Sequence, residues 1–181
     1  MNQKINLQYI MWLLIAVVLS CFFHEFTHWL TGEILGNKMS MSFNTASPIN
    51  GEYVKDWHAN IITISAPIFT VLQAVAFYFI LNKQRKLHLY PFLFFPFVYR
   101  FFAGIANSFG PNDEGRFGLS IGVGLYTISI IFSTFLLFLI IRFSLKHKIS
   151  FKYNLITFIL SALGLLLIVF IDQYFKIKII G

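Results

Sequence analysis

Five apolar runs of about twenty residues, joined by short polar connections, limit this chain to a narrow set of folds: Tyr9 to Leu30, Ala59 to Leu81, Leu89 to Phe109, Phe117 to Ile141 and Leu155 to Ile171. About 20 apolar residues is the length of helix that crosses a hydrocarbon core. Inside that core the backbone must satisfy its own hydrogen bonds, so each run is expected as a helix. The composition agrees, with 57% hydrophobic and 12% charged residues among 181, against roughly 25% charged in a soluble domain. The expected fold class is an all-α polytopic membrane protein with about five transmembrane helices. It forms a single membrane-embedded domain over residues 1–181, with a core over about 9–120, accessory helices over about 117–175 and no separate soluble domain.

The net charge of +7 does not point to nucleic acid, because the Lys and Arg residues sit in the connections between spans rather than on one face of a domain. They read as topology signals. Lys4, Lys83, Arg85, Lys86, Arg142, Lys146, Lys148 and Lys152 fall on one side; Lys38, Lys55, Arg116, Lys176 and Lys178 fall on the other. The positive-inside rule then places the N-terminus in the cytoplasm. Cys21 is the sole cysteine, which excludes an internal disulfide framework. Val18-Leu19-Ser20-Cys21 loosely resembles a lipoprotein processing site, but more apolar helix follows it, so the segment is read as a resident first span. Small size and the plain charge pattern suggest a bacterial inner membrane.

Against this apolar background the first span carries His24-Glu25-Phe26-Thr27-His28, an H-E-x-x-H motif. On a helix the two histidines lie one turn apart on one face, where both imidazoles reach a single zinc ion while Glu25 stands beside its water. An ionisable group at the centre of a spanning helix costs about 2.5 to 3.5 kcal/mol on insertion scales, and such groups mark functional sites.

Beyond the first span, Gly32 and Gly36 interrupt the helical pattern, and residues 38–56 change character. Lys38 to Phe43 alternates polar and apolar, Asn44 to Gly51 is rich in turn residues, and Glu52-Tyr53-Val54 resumes extended chemistry. The expectation is a short membrane-associated β-hairpin, whose free edge either lies at the interface or accepts another extended chain. In the second span Ser65-Ala66-Pro67 is expected to kink or loosen one turn. The third span, with Pro91, Pro96, Arg100 and Asn107, is too polar and broken to face lipid and is expected inside the bundle. Gly122, Gly124 and Gly164 in the last two spans are expected to allow close helix approach.

A catalytic zinc usually takes three protein ligands and leaves a fourth position to water. An even number of crossings separates the end of the first span from Asp113-Glu114, so both lie on one side of the membrane. Leu30 is only about 9 Å along the helix from His24, which brings Asp113, or Glu114 as the alternative, within reach as third ligand. The chemistry expected of such a site is metal-assisted peptide hydrolysis. Glu25 accepts a proton from the attacking water and later passes it to the leaving amine, and Asn107 is the candidate donor to the oxyanion or substrate. His58 is read as an interfacial anchor and Arg100 as a buried polar partner or snorkelling cation. Asp172, Lys176 and Lys178 mark the end of the last span.

These motifs give the chain a resemblance to the site-2 protease family of intramembrane zinc metalloproteases. The family's H-E-x-x-H matches His24, Glu25 and His28; its membrane-associated β element matches residues 38–56 in character. Its kinked second core helix, typically Ala-Gly-Pro with a later Asn, is echoed by Ser65-Ala66-Pro67 and Thr70, and its Asp-Gly ligand motif by Asp113-Glu114-Gly115. The resemblance covers roughly the first 120 residues. The family's glycine is Ala66 here, its asparagine is Thr70, and Glu114 separates the aspartate from the glycine. The resemblance implies a zinc endopeptidase acting on a membrane protein or membrane-adjacent segment, locally extended and added as a strand to the hairpin. The catalytic side faces the cytoplasm in many members, whereas the loop charges put it outside here. Two other classes stay open on sequence alone: an inactive relative that binds membrane segments, and a small metal or proton transporter.

Overall fold

A computed structural model of the chain describes residues 3–175 and 177–181; Lys176, counted above among the loop cations, lies outside the described residues. The helices are α1 (Leu7–Ile34), α2 (Asp56–Gln84), α3 (Tyr90–Ala106), α4 (Asp113–Ser120), α5 (Thr127–His147) and α6 (Phe151–Phe175). A hairpin of β1 (Met39–Met41) and β2 (Ala46–Pro48) lies between α1 and α2. Five helices are long and apolar enough to cross a membrane; α4 is not among them. The all-α membrane architecture with a small hairpin after the first helix is therefore as expected.

Local chemistry sets the ends of α1. Asn6 caps it, its side chain accepting from the Tyr9 amide at 2.9 Å. At the other end Gly36 takes φ +80° and the Asn37 amide reaches back to the Gly32 carbonyl at 2.9 Å. That is the Schellman arrangement, which needs a residue free to enter the left-handed region.

The chain reverses earlier than the alternation suggested. Ser42 Oγ accepts from the Asn44 and Thr45 amides at 3.2 and 3.1 Å, and the Ser42 amide donates to the Thr45 carbonyl at 2.8 Å. This closes a tight turn, so the returning strand is Ala46–Pro48 and not Glu52-Tyr53-Val54. The Val54 amide instead donates to Asn37 Oδ1 at 2.8 Å and holds that stretch as loop.

The fourth apolar run is also divided. The expected span from Phe117 to Ile141 breaks after Ser120, because Gly122 and Gly124 adopt φ +78° and +97° and the Val123 and Gly124 amides both return to the Gly118 carbonyl. These glycines make a turn rather than a helix contact. Gly164 does serve close approach, since a Cβ there would stand 3.3 Å from Val17 Cγ2 of α1.

Helix α3 is the most enclosed span, with 56% of its apolar window buried against 22–39% for the other four. It packs on α1, α2, α5 and α6, as its polar and proline-broken sequence suggested. Leu13, Val17, Leu93, Phe95, Leu136 and Phe143 form the centre of the core. Some polar side chains inside the bundle pair with one another: Tyr9 Oη lies 2.7 Å from Thr157 Oγ1 and Tyr90 Oη donates to Asn154 Oδ1 at 2.9 Å. Leu14, Phe79, Ile130, Phe138, Leu163 and Phe170 project outward, the apolar surface lipid requires.

Candidate metal centre

His24 and His28 are both buried on the face of α1 that meets α2 and α3. Each ring is fixed by its outer nitrogen. His28 Nδ1 donates to the Ile62 carbonyl at 2.7 Å; Ile62 belongs to the α2 turn just before Pro67, the segment in which sequence expected a loosened helix. His24 Nδ1 lies 3.0 Å from Thr70 Oγ1. Thr70 commits its own proton to the Ala66 carbonyl at 2.9 Å, so its oxygen can only accept from His24.

Both imidazoles consequently carry the proton on Nδ1 and a lone pair on Nε2. Both Nε2 atoms point at one atom, Asp113 Oδ2, at 3.2 Å each. Paired with the Arg116 guanidinium, the Asp113 carboxyl is ionised. Its other oxygen accepts from Arg116 Nη2 at 2.9 Å.

An ionised carboxylate only accepts hydrogen bonds. Three electron-pair donors therefore converge, their ligand atoms all within 4.8 Å of one another, in an arrangement that repels unless a cation sits among them. One added proton would pair a single imidazolium with the carboxylate and still leave the other Nε2 lone pair facing Oδ2, whereas a metal cation accepts from all three at once. The donor set, two imidazole nitrogens and a carboxylate oxygen, suits zinc, and the 3.2 Å separations are close to the edge of a tetrahedron with bonds of about 2.0 Å. The hydrogen bonds to Thr70 and Ile62 are the outer partners that metal-ligating histidines ordinarily have.

Glu25, beside His24 on α1, lines the same cavity of about 750 Å³. Its walls are polar toward the hairpin, with Asn44, Ser47 and Tyr53, and apolar toward α3 and α6, with Ile105, Ala106, Leu166 and Val169. The hairpin offers it one edge. In the β1–β2 ladder the Ser42–Thr45 and Lys38–Ile49 backbone bonds and the pairing of Ser40 with Ser47 fix the alternation, so the outward groups are those of Met39, Met41, Ala46 and Pro48. On β1 they are taken: the Met39 amide by Glu33 Oε1 at 2.8 Å, and the Met41 amide and carbonyl by Ile180 and Ile179 at 2.8 Å. The cavity edge is β2's, and Ala46 carries its amide because Pro48 has none.

The remaining sequence candidates lie elsewhere. Glu114, the alternative ligand, turns away from the histidines and pairs with Arg100 at 2.9 Å. Asn107 donates to Ser129 Oγ at 3.1 Å and to the Leu125 carbonyl at 3.4 Å, and accepts from the Asn112 amide at 2.9 Å. It clasps α3, α4 and α5 together, and it is not among the cavity-lining residues. His58 is buried and accepts from Asn37 Nδ2 at 3.1 Å. Asp172 ties the end of α6 to the hairpin turn, accepting from Ser42 Oγ at 2.8 Å and the Phe43 amide at 3.1 Å. Sequence reading noticed Thr70 only as a departure and missed its hold on His24. Ile62, Ala66 and Thr70 recur at intervals of four on one buried face of α2, and that periodicity was the available signal. Comparison of the chain with protein-family models, with curated proteins and with solved structures finds no match.

Proposed function

We propose that this protein is an intramembrane zinc metalloprotease, hydrolysing peptide bonds in or near transmembrane segments of other proteins, in a bacterial inner membrane. The observation that carries the reading is the convergence of His24 Nε2, His28 Nε2 and Asp113 Oδ2 with Glu25 at the same cavity. His24, His28 and Asp113 would hold the ion. Bound zinc supplies Lewis acidity toward a water and the scissile carbonyl.

Glu25 then acts as the proton carrier. As the water oxygen bonds to the carbonyl carbon, its carboxylate takes one water proton; as the C–N bond breaks, it returns that proton to the amide nitrogen, leaving a carboxyl and an amine. The hairpin edge supports presentation of an extended chain: Ala46 offers an amide and a carbonyl, Pro48 a carbonyl, beside a cavity that Ala46 and Ser47 line. The apolar walls on α3 and α6 suit a substrate that reaches the site from lipid.

The test is the metal content of the detergent-purified protein together with cleavage of a membrane-segment reporter in proteoliposomes. Wild type is expected to hold near-stoichiometric zinc and to generate product, with zinc lost in His24→Ala and in Asp113→Ala. Zinc-free wild type purified without chelators, or zinc-loaded wild type that leaves a panel of membrane-segment reporters intact, overturns the reading.

A further inference from the structure

Next to the metal centre lies a second buried charge cluster for which the proposed hydrolysis has no use. Arg100 of α3 and Glu114 of α4 form an ion pair, Nη1 to Oε1 2.9 Å, with side chains 1% and 0% exposed. Among the described residues, Arg100 Nε and Glu114 Oε2 have no hydrogen-bond partner. A pair buried this completely, with a donor and an acceptor unmatched, is a poor way to gain stability, since desolvation offsets most of the attraction. Its connections suggest another purpose.

Glu114 directly follows Asp113, and adjacent positions in a helix point about 100° apart. The first turn of α4 therefore presents Asp113 to the histidines while Glu114 reaches α3, and fixing one fixes the other. On its second side the guanidinium lies over the Tyr99 ring, Cζ 4.3 Å from the centroid. Tyr99 in turn packs edge-on against His24 with ring centroids 5.0 Å apart. A chain of contacts thus runs from Arg100 to two of the three ligand side chains by separate routes. The planar guanidinium is suited to hold both neighbours at once, one by a directed hydrogen bond and one by its face.

We propose that Arg100 is a positioning residue for the metal centre, setting Asp113 through Glu114 and backing the His24 ring through Tyr99. The inference rests on the zinc-site reading and extends it beyond the ligands. It assigns Glu114 the task of orienting the ligand beside it.

The experiment compares wild type with Arg100→Lys, Arg100→Gln, Glu114→Gln and the double variant R100Q/E114Q. The full chain in detergent is loaded with cobalt(II) for its visible spectrum and with zinc for affinity, and melting temperature is followed in parallel. A merely structural pair would change melting temperature and leave the cobalt spectrum untouched. The single Gln variants are expected to bind zinc roughly 10- to 100-fold more weakly, the range seen for outer partners of metal ligands, with altered cobalt bands. The double variant, which can restore an amide hydrogen bond without an orphaned charge, is expected to recover part of the affinity. If the single Gln variants fail to fold, Arg100→Lys decides, because it keeps the charge and loses the planar fork: a perturbed cobalt spectrum supports the inference. Wild-type spectra and affinities in the folded variants overturn it. Wild type unable to bind either ion overturns the metal-site reading as well. Wild type that binds zinc but cleaves nothing overturns the protease reading alone.

Discussion

Replacing Thr70 by Val removes one hydroxyl from the second helix and nothing else of comparable size, and it isolates what holds His24 in its metal-binding form. In the metal-free protein the variant has an escape: His24 can shift its proton to Nε2 and donate it to Asp113 Oδ2, 3.2 Å away. Zinc binding forbids this, because Nε2 must then offer its lone pair. The proton returns to Nδ1, which faces a methyl group in a site where Thr70 is 1% exposed and water cannot substitute. An unsatisfied buried donor costs about 1 to 3 kcal/mol, and the cost falls entirely on the zinc-bound state. At about 1.4 kcal/mol per tenfold, zinc affinity should fall roughly 5- to 150-fold. That range overlaps the 10- to 100-fold or so typical of such outer hydrogen bonds. Thr70→Ser keeps the oxygen and should bind zinc within roughly threefold of wild type, a difference worth under about 1 kcal/mol. Competition against a chromogenic chelator in detergent measures both. A folded Thr70→Val protein with wild-type zinc affinity would refute the tautomer argument, and with it the main physical reason for placing a cation among these three groups.

Three further outcomes are expected. Glu25→Gln should retain zinc at the wild-type level while reporter cleavage falls by a factor of about 10² to 10⁴, so a variant that cleaves at the wild-type rate removes Glu25 from the chemistry. Ala46→Pro deletes the amide on the cavity edge of β2. Loss of one hydrogen bond worth about 0.5 to 1.5 kcal/mol should raise KM for an extended peptide roughly 2- to 12-fold without changing zinc content, and an unchanged KM argues against strand addition there. Gly115→Ala places a Cβ against Asn107 Oδ1 and Leu125 Cδ1; overpacking of this kind costs about 1 to 3 kcal/mol. Melting temperature should drop and zinc should bind more weakly, because Asn107 then loosens its hold on the chain entering α4; a wild-type melting curve contradicts that account.

How far the sequence revealed this arrangement depends on the range of the physics involved. His24 and His28 were legible because helical periodicity alone puts positions four apart on one face. The Asp113-Glu114 pair was legible as a neighbour of the histidines because the parity of crossings fixes the side on which a connection emerges, but parity does not choose between the two carboxylates; their contacts do. The break in the fourth apolar run was hidden, since a hydropathy window counts Gly122 and Gly124 as neutral and is blind to the positive φ they adopt; two glycines so close together were a turn signal outweighed by the run's length. The hairpin register was misjudged because the reversal depends on one side chain, Ser42, folding back on its own backbone. Arg100 with Glu114, and His24 with Thr70, are contacts 14 and 46 residues apart in the chain. Neither periodicity nor parity constrains such pairs, and only the packing of α1 on α2 and of α3 on α4 brings them together.

The position of Asp113 explains why a short helix outside the spans takes part in a centre whose histidines lie within one. A third ligand placed on a spanning helix would add a carboxylate to hydrocarbon, where ionisable groups are costly. At the start of α4 the carboxylate meets Arg116 at 2.9 Å and the unsatisfied amides of a helix N-terminus, which favour negative charge. It reaches the histidines because they lie in the C-terminal half of α1, Leu7–Ile34. The group therefore draws two of its members from a long apolar helix and one from a short helix outside the five long apolar ones. Its cavity has the matching character, with Tyr53 and Ser47 on one wall and Ile105 and Leu166 on the other. A soluble peptide would find half of that cavity too apolar and a fully embedded helix would find the other half too polar. On the proposed reading, a segment that leaves lipid and unwinds would suit both walls, and its exposed backbone groups would meet the amide and carbonyl of Ala46. If the proposed function holds, a site with one polar and one apolar wall would thus favour a chain that is itself part extended and part apolar.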